Sequence, residues 1–164
     1  IIPAPSWVSY GPQAHILAKD TYTIATERKD SYRLQAEALA ELCGTLGKGQ
    51  KILILNNPCN PTGAVYPDQE LQALAKVCRE EEVIVISDEI YSLIDFRKEK
   101  FSSIARYLPE STVVTGGMSK AFSAGGWRLG LAFVPDAMSD MIKPWNALIS
   151  ETFSCVNAPV QYAA

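Results

Sequence analysis

Two uninterrupted apolar runs, Ile52 to Leu55 and Val83 to Ile86, constrain this chain more than any other feature. A strand with one wetted face alternates apolar and polar residues, so runs without alternation imply strands buried on both faces and central in a sheet. Further short runs at Tyr22 to Ala25, Thr112 to Thr115 and Leu129 to Val134 also read as strands. Between them, Leu34 to Leu46 and Asp68 to Glu82 carry apolar residues at helical spacing, the second opened by Pro67. Asp136 to Ile149 reads as a third helix, interrupted near Pro144. Short strands alternating with longer amphipathic segments predict an α/β fold, a mostly parallel central sheet covered by helices.

Composition narrows the function classes. With 48% hydrophobic and 20% charged residues, the chain holds enough apolar material for one folded core. A net charge of -3 with dispersed basic residues offers no footprint for nucleic acid or an anionic membrane. No apolar run approaches the ~20 residues of a membrane-spanning helix, and no signal-peptide pattern is present. Cys43, Cys59, Cys78 and Cys155 form no C-x-x-C pair and, with His15 alone, no zinc set; they read as reduced thiols of a cytoplasmic protein. His15 itself reads as a surface or packing residue. The chain opens on Ile1-Ile2-Pro3 without Met and stops at Gln161 to Ala164 in a rising helix, so both ends read as cut.

In open α/β sheets, ligands sit beyond the carboxyl ends of the strands. The residues there are polar and specific: Asn56-Asn57-Pro58-Cys59-Asn60-Pro61-Thr62-Gly63, then Asp88-Glu89-Ile90-Tyr91, then Gly116-Gly117-Met118-Ser119-Lys120. An acid, a phenol, an amide, a lysine and an arginine at one edge suit a phosphorylated pyridine aldehyde held as a lysine Schiff base. Lys120 supplies the amine, since desolvation and nearby positive charge make a lysine nucleophilic. Asp88 holds a proton on the pyridine nitrogen. Tyr91 and Asn60 hydrogen-bond the ring oxygen, and Arg128 offers a planar fork to a phosphate dianion. Each residue also has an ordinary use: Lys120 at the surface, Asp88 as a helix cap, Tyr91 in packing, Asn60 in a turn before Pro61, Arg128 in a surface ion pair, Trp7 in a core.

The strings Asn60-Pro61-Thr62-Gly63, Ser87-Asp88-Glu89-Ile90-Tyr91, Ser119-Lys120-Ala121-Phe122 and Gly126-Trp127-Arg128-Leu129-Gly130 together resemble class I/II aminotransferases, over nearly the whole chain. The resemblance implies the aspartate aminotransferase fold, here a three-layer α/β large-domain type with a mostly parallel central sheet, Leu129 to Val134 being antiparallel. It implies residues 1-164 as a partial large, cofactor-binding domain, truncated at both ends, with the small domain absent. The cofactor implied is pyridoxal 5'-phosphate, with Lys120 attached to it, Asp88 on its ring nitrogen, Asn60 and Tyr91 on its ring oxygen, and Arg128 on its phosphate. Pro5-Ser6-Trp7 resembles the segment whose aromatic ring stacks on the cofactor. The catalytic set is then Lys120, Asp88 and Tyr91. Gly117 stands where some branches carry a Ser that contacts the phosphate; a hydroxyl bond to a charged group is worth ~1.5 to 3 kcal/mol, to be made up by other donors.

The resemblance further implies transfer of an amino group between an amino acid and a 2-keto acid, a homodimer in the full-length protein, no nucleic-acid or membrane partner, and weak or no activity for these 164 residues alone. Elimination by a lyase, or cyclisation by a synthase, uses the same residues. Two rivals belong to other classes. A non-catalytic binding module could keep the fold, although intact Lys120, Asp88 and Arg128 argue for a retained cofactor site. A nucleotide hydrolase is suggested by Val83 to Glu89, but Gly44-Thr45-Leu46-Gly47-Lys48 is too short for a phosphate loop and leads into a strand instead of following one.

Overall fold

The computed structural model describes all of residues 1–164. Its main sheet is built from β3 (Lys51–Asn56), β4 (Val83–Asp88), β5 (Thr112–Gly117) and β6 (Gly130–Phe133), in that spatial order. The first three run parallel and β6 is antiparallel to β5, as the family resemblance implies. A short parallel pair, β1 (Ile2–Ala4) and β2 (Thr23–Ala25), lies on the free side of β3. There the Ile1 amino group donates to the Ile52 carbonyl (2.7 Å), and Ile54 N–H donates to the Ile1 carbonyl (3.0 Å).

The helices are α1 (Tyr10–Ile16), α2 (Ala36–Leu46), α3 (Asp68–Glu80), α4 (Ile142–Thr152) and α5 (Ala158–Ala163). Helix α3 begins directly after Pro67, with Asp68 and Glu70 in its first turn and Arg79 in its last, which complements the helix dipole at both ends. Its buried residues Leu71, Leu74, Ala75 and Cys78 follow an i, i+3, i+4, i+7 stripe. Together with Leu39 and Cys43 of α2, that stripe packs on Leu53, Leu55, Val83 and Val85 of the sheet, closed below by Ile104 and Leu108. Each large aliphatic side chain buried in this way contributes roughly 1.5–3 kcal/mol.

Two expectations need correction. The apolar runs are not buried on both faces: Leu53, Leu55, Val83 and Val85 are buried, whereas Ile52 is 40% exposed and Ile54, Ile84 and Ile86 are half-buried. Successive strand residues point to opposite faces, and α2 and α3 both pack on the same one. Nor does Pro144 interrupt a helix. Residues Asp136–Met141 form a 3₁₀ run, and Pro144 is the third residue of the uninterrupted α4. In the first turn the N–H that proline lacks has no helical partner, so the helix tolerates it.

Candidate active site

Strand pairing sets the three polar strand ends level. Asn56 of β3 is in register with Asp88 of β4, which is in register with Thr115 of β5. Asp88 is held through both carboxylate oxygens: Ile90 N–H donates to Oδ1 (3.2 Å) and the Tyr10 hydroxyl to Oδ2 (2.5 Å). The first bond is the local turn that an Asp at a strand end favours. The second crosses 78 residues of sequence. Burial, then the bond to Asp88, pushes the Tyr10 phenol well above its ordinary pKa, so Tyr10 is a neutral, permanent donor. Trp7 stands edge-on to the Tyr10 ring, with centroids 5.3 Å apart and planes at 85°.

Asn60 follows β3 in a turn whose two Asn–Pro bonds, Asn57–Pro58 and Asn60–Pro61, are cis. Its N–H donates to Asn56 Oδ1 (2.7 Å), while Asn56 Nδ2 donates to the Asp88 carbonyl (2.9 Å). The same carbonyl accepts from Asn57 N–H (3.0 Å). Asn57 is fully buried: its Nδ2 donates to the Ser102 carbonyl (3.2 Å) and its Oδ1 accepts from Tyr66 N–H (3.2 Å). Tyr91 comes three residues after Asp88, and Lys120 Nζ lies 5.7 Å from the centroid of its ring. Asn60 and Tyr91 line one open cavity of about 990 Å³; Asp88, Lys120, Arg128 and Trp7 lie outside its lining.

Lys120 and Arg128 sit in the connection from β5 to β6. Ala124 N–H donates to the Met118 carbonyl (3.2 Å) and Ser123 N–H to the Lys120 carbonyl (3.1 Å), which folds the lysine loop back on itself. Lys120 is exposed. Arg128 is also exposed, in a left-handed backbone conformation (φ 55°), and its Nη1 donates to the Gly125 carbonyl (2.7 Å). A non-glycine residue held there stores on the order of 1 kcal/mol or more of strain. No hydrogen bond or ion pair joins Arg128 to the other candidate residues; the backbone bond from Met118 N–H to the Leu129 carbonyl (3.4 Å) and the pairing of Gly117 with Gly130 bring the two loop ends together.

Gly117 has a structural reason of its own. A Cβ there would stand 2.7 Å from the Leu129 carbonyl oxygen and 3.2 Å from Gly130 Cα, because Gly117 pairs with Gly130 across β5 and β6. A serine cannot occupy this position without parting the two strands. Glu89, between Asp88 and Tyr91, is bound by the hydroxyls of Ser87 (2.8 Å) and Ser103, and its N–H donates to the Thr115 carbonyl (2.8 Å). Burial raises its carboxyl pKa against the opposing effect of the two hydroxyls. Asn56, Asn57 and Glu89 stood among the strand-end residues read from the sequence without a role in the site, and Tyr10 was not named there. The Asn56-Asn57 pair directly after a buried strand carried a usable signal; Tyr10 carried none, because only the fold brings it to Asp88.

The sequence profile of the family described as aminotransferase class I and II matches residues 1–164. The chain is 34% identical to an aspartate aminotransferase of Bacillus subtilis over all of its own length and 41% of that protein's. Among solved structures, aspartate aminotransferase of Thermus thermophilus with maleate superposes with a TM-score of 0.88 at 31% identity, over 99% of this chain and 41% of that one. An aromatic aminotransferase of Pyrococcus horikoshii superposes with a TM-score of 0.85 at 32% identity, over 99% of this chain and 42% of that one. The chain thus spans about two fifths, 41%, of the length of the curated relative it matches. With the family profile matched from its first residue to its last, the chain belongs to the class I and II aminotransferase family.

Proposed function

We propose that residues 1–164 are the central part of the cofactor-binding domain of a pyridoxal-phosphate-dependent aminotransferase that moves an amino group between an amino acid and a 2-keto acid. The observation that carries this reading is the doubly anchored carboxylate of Asp88 at the end of β4, level with the Asn56 and Thr115 strand ends. The residues present suit the cofactor. A carboxylate fixed through both oxygens serves a protonated ring nitrogen, a lysine 5.7 Å from the Tyr91 ring serves an aldehyde, and the phenol and the Asn60 amide serve a ring oxygen. Bound, pyridoxal 5'-phosphate supplies an electron sink for the substrate's α-carbon.

The chain's own residues do the rest. Tyr10 fixes the rotamer of Asp88, and Asp88 holds the proton on the ring nitrogen. Lys120 would supply the amine that attaches the cofactor, and its Nζ would serve as the base that carries a proton. Tyr91 and Asn60 orient the ring through its oxygen. Arg128 would hold the phosphate through its guanidinium. Trp7, edge-on to Tyr10, would stack on the cofactor, as the family resemblance implies. A homodimer is proposed for the full-length protein, as the family resemblance implies. No helix is long and apolar enough to cross a membrane.

The test is made on the full-length protein. Borohydride reduction in the presence of pyridoxal 5'-phosphate, followed by peptide mapping, is expected to label Lys120. A panel of amino acids is expected to yield keto acids without ammonia. Label on another lysine defeats the site assignment, and stoichiometric ammonia release moves the reaction to elimination.

A further inference from the structure

We infer that Asn56 is a positioning residue for the cofactor, and that its single amide sets the spacing between the ring-nitrogen partner Asp88 and the ring-oxygen partner Asn60. This rests on the proposed function of those two residues. Asn56 is 7% exposed and is the last residue of β3. Both ends of its amide are engaged: Oδ1 accepts from Asn60 N–H (2.7 Å) and Nδ2 donates to the Asp88 carbonyl (2.9 Å).

The amide is planar and rigid, so one side chain spans from the turn after β3 to the end of β4 at a fixed distance. Few other side chains do this. An aspartate has no donor for the Asp88 carbonyl, a serine is too short to reach both partners, and a leucine leaves the part-buried Asn60 N–H without its acceptor. The Asp88 carbonyl keeps a second donor in Asn57 N–H (3.0 Å), so β4 stays paired without Asn56. The Asn60 N–H has no such reserve among the hydrogen bonds of the turn, where the neighbouring donors Cys59 N–H and Gly63 N–H serve the Ala64 and Cys59 carbonyls. Loss of Asn56 should therefore move Asn60 more than Asp88. Its effect should appear at the ring oxygen more than at the ring nitrogen.

The full-length protein tests this with Asn56→Ala, Asn60→Ala and the double variant. Two quantities are read: the dissociation constant of pyridoxal 5'-phosphate, and the pH midpoint of the bound cofactor's visible absorbance. Asn56→Ala is expected to weaken cofactor binding about tenfold, equivalent to ~1.4 kcal/mol or one hydrogen bond, and to move the absorbance midpoint in the same direction as Asn60→Ala. In the double variant the two effects should be less than additive, because Asn56 acts through Asn60. Leu74→Ala, in the core on α3, controls for general destabilisation: it should lower the melting temperature and leave the absorbance midpoint in place. If the alanine variant does not fold, Asn56→Ser is expected to give the same midpoint shift. Unchanged affinity and midpoint, or full additivity with Asn60→Ala, overturns the inference. Lys120→Ala is run alongside: if borohydride still labels the protein at full stoichiometry, the site assignment itself fails, whatever Asn56 does.

Discussion

Replacing Tyr10 by phenylalanine removes a single oxygen and with it the Tyr10 to Asp88 bond. The ring stays, so its edge contact with Trp7 (5.3 Å) and its burial at 5% exposure are preserved. The lost bond is short, at 2.5 Å, and ends on a carboxylate. Hydrogen bonds to charged groups are worth ~1.5–3 kcal/mol, and the part-buried setting places this one near the lower end. A loss of about 1.5–2 kcal/mol corresponds to roughly 10- to 30-fold in the unfolding equilibrium. The assay is equilibrium urea unfolding of the full-length apoprotein at one fixed concentration, for wild type, Tyr10→Phe, Asp88→Ala and the double variant. The coupling between the two sites is expected to recover about 1.5 kcal/mol, since each single change removes the same bond. Tyr10→Phe should also weaken pyridoxal 5'-phosphate binding, because Asp88 retains only Ile90 N–H to fix its rotamer. A coupling under ~0.5 kcal/mol with unchanged cofactor affinity would refute the view that Tyr10 orients Asp88.

Asp88→Asn should keep some of the cofactor but lose most turnover in the full-length protein, because an amide cannot hold the ring-nitrogen proton; near-normal kcat would show that another group serves it. Gly117→Ser is expected to cost ~1–3 kcal/mol by overpacking against Leu129 and Gly130, visible as a lower melting temperature. An unchanged melting temperature would mean the β5 and β6 pair yields freely. Glu89 has its folded pKa raised by burial, so the folded state binds more protons than the unfolded one. Its contribution to stability is present below the ordinary glutamate pKa and is lost as pH rises through the raised value. Glu89→Gln should abolish that fall, so the stability of the variant relative to wild type should grow as pH rises through that range; parallel pH profiles for the two proteins would remove Glu89 as its source.

Periodicity and the polar residues at the strand ends were legible in the chain itself. The apolar runs Ile52 to Leu55 and Val83 to Ile86 became most of β3 (Lys51–Asn56) and β4 (Val83–Asp88), and the Leu71, Leu74, Ala75 and Cys78 stripe became the packed face of α3. These are local consequences of side-chain spacing, which the backbone geometry of strand and helix translates directly into faces. Motif order also sufficed to place the chain in its family.

Tertiary structure decided the rest, for reasons that are non-local. Whether a strand is covered on one face or two depends on where distant helices pack, and α2 and α3 chose the same face of β3 and β4. Ile2–Ala4 is too short to show a period, and it is a strand only because it pairs with Thr23–Ala25, while Ile1 just before it is bonded to Ile52 and Ile54 of β3. Gly117 reads as a missing hydroxyl until its pairing with Gly130 shows that no Cβ fits. Tyr10 meets Asp88 across 78 residues, and no spacing rule connects positions that far apart. The sequence determined which groups stand at the strand ends; parallel pairing in register determined that Asn56, Asp88 and Thr115 stand level, and therefore which side chains can hold one another.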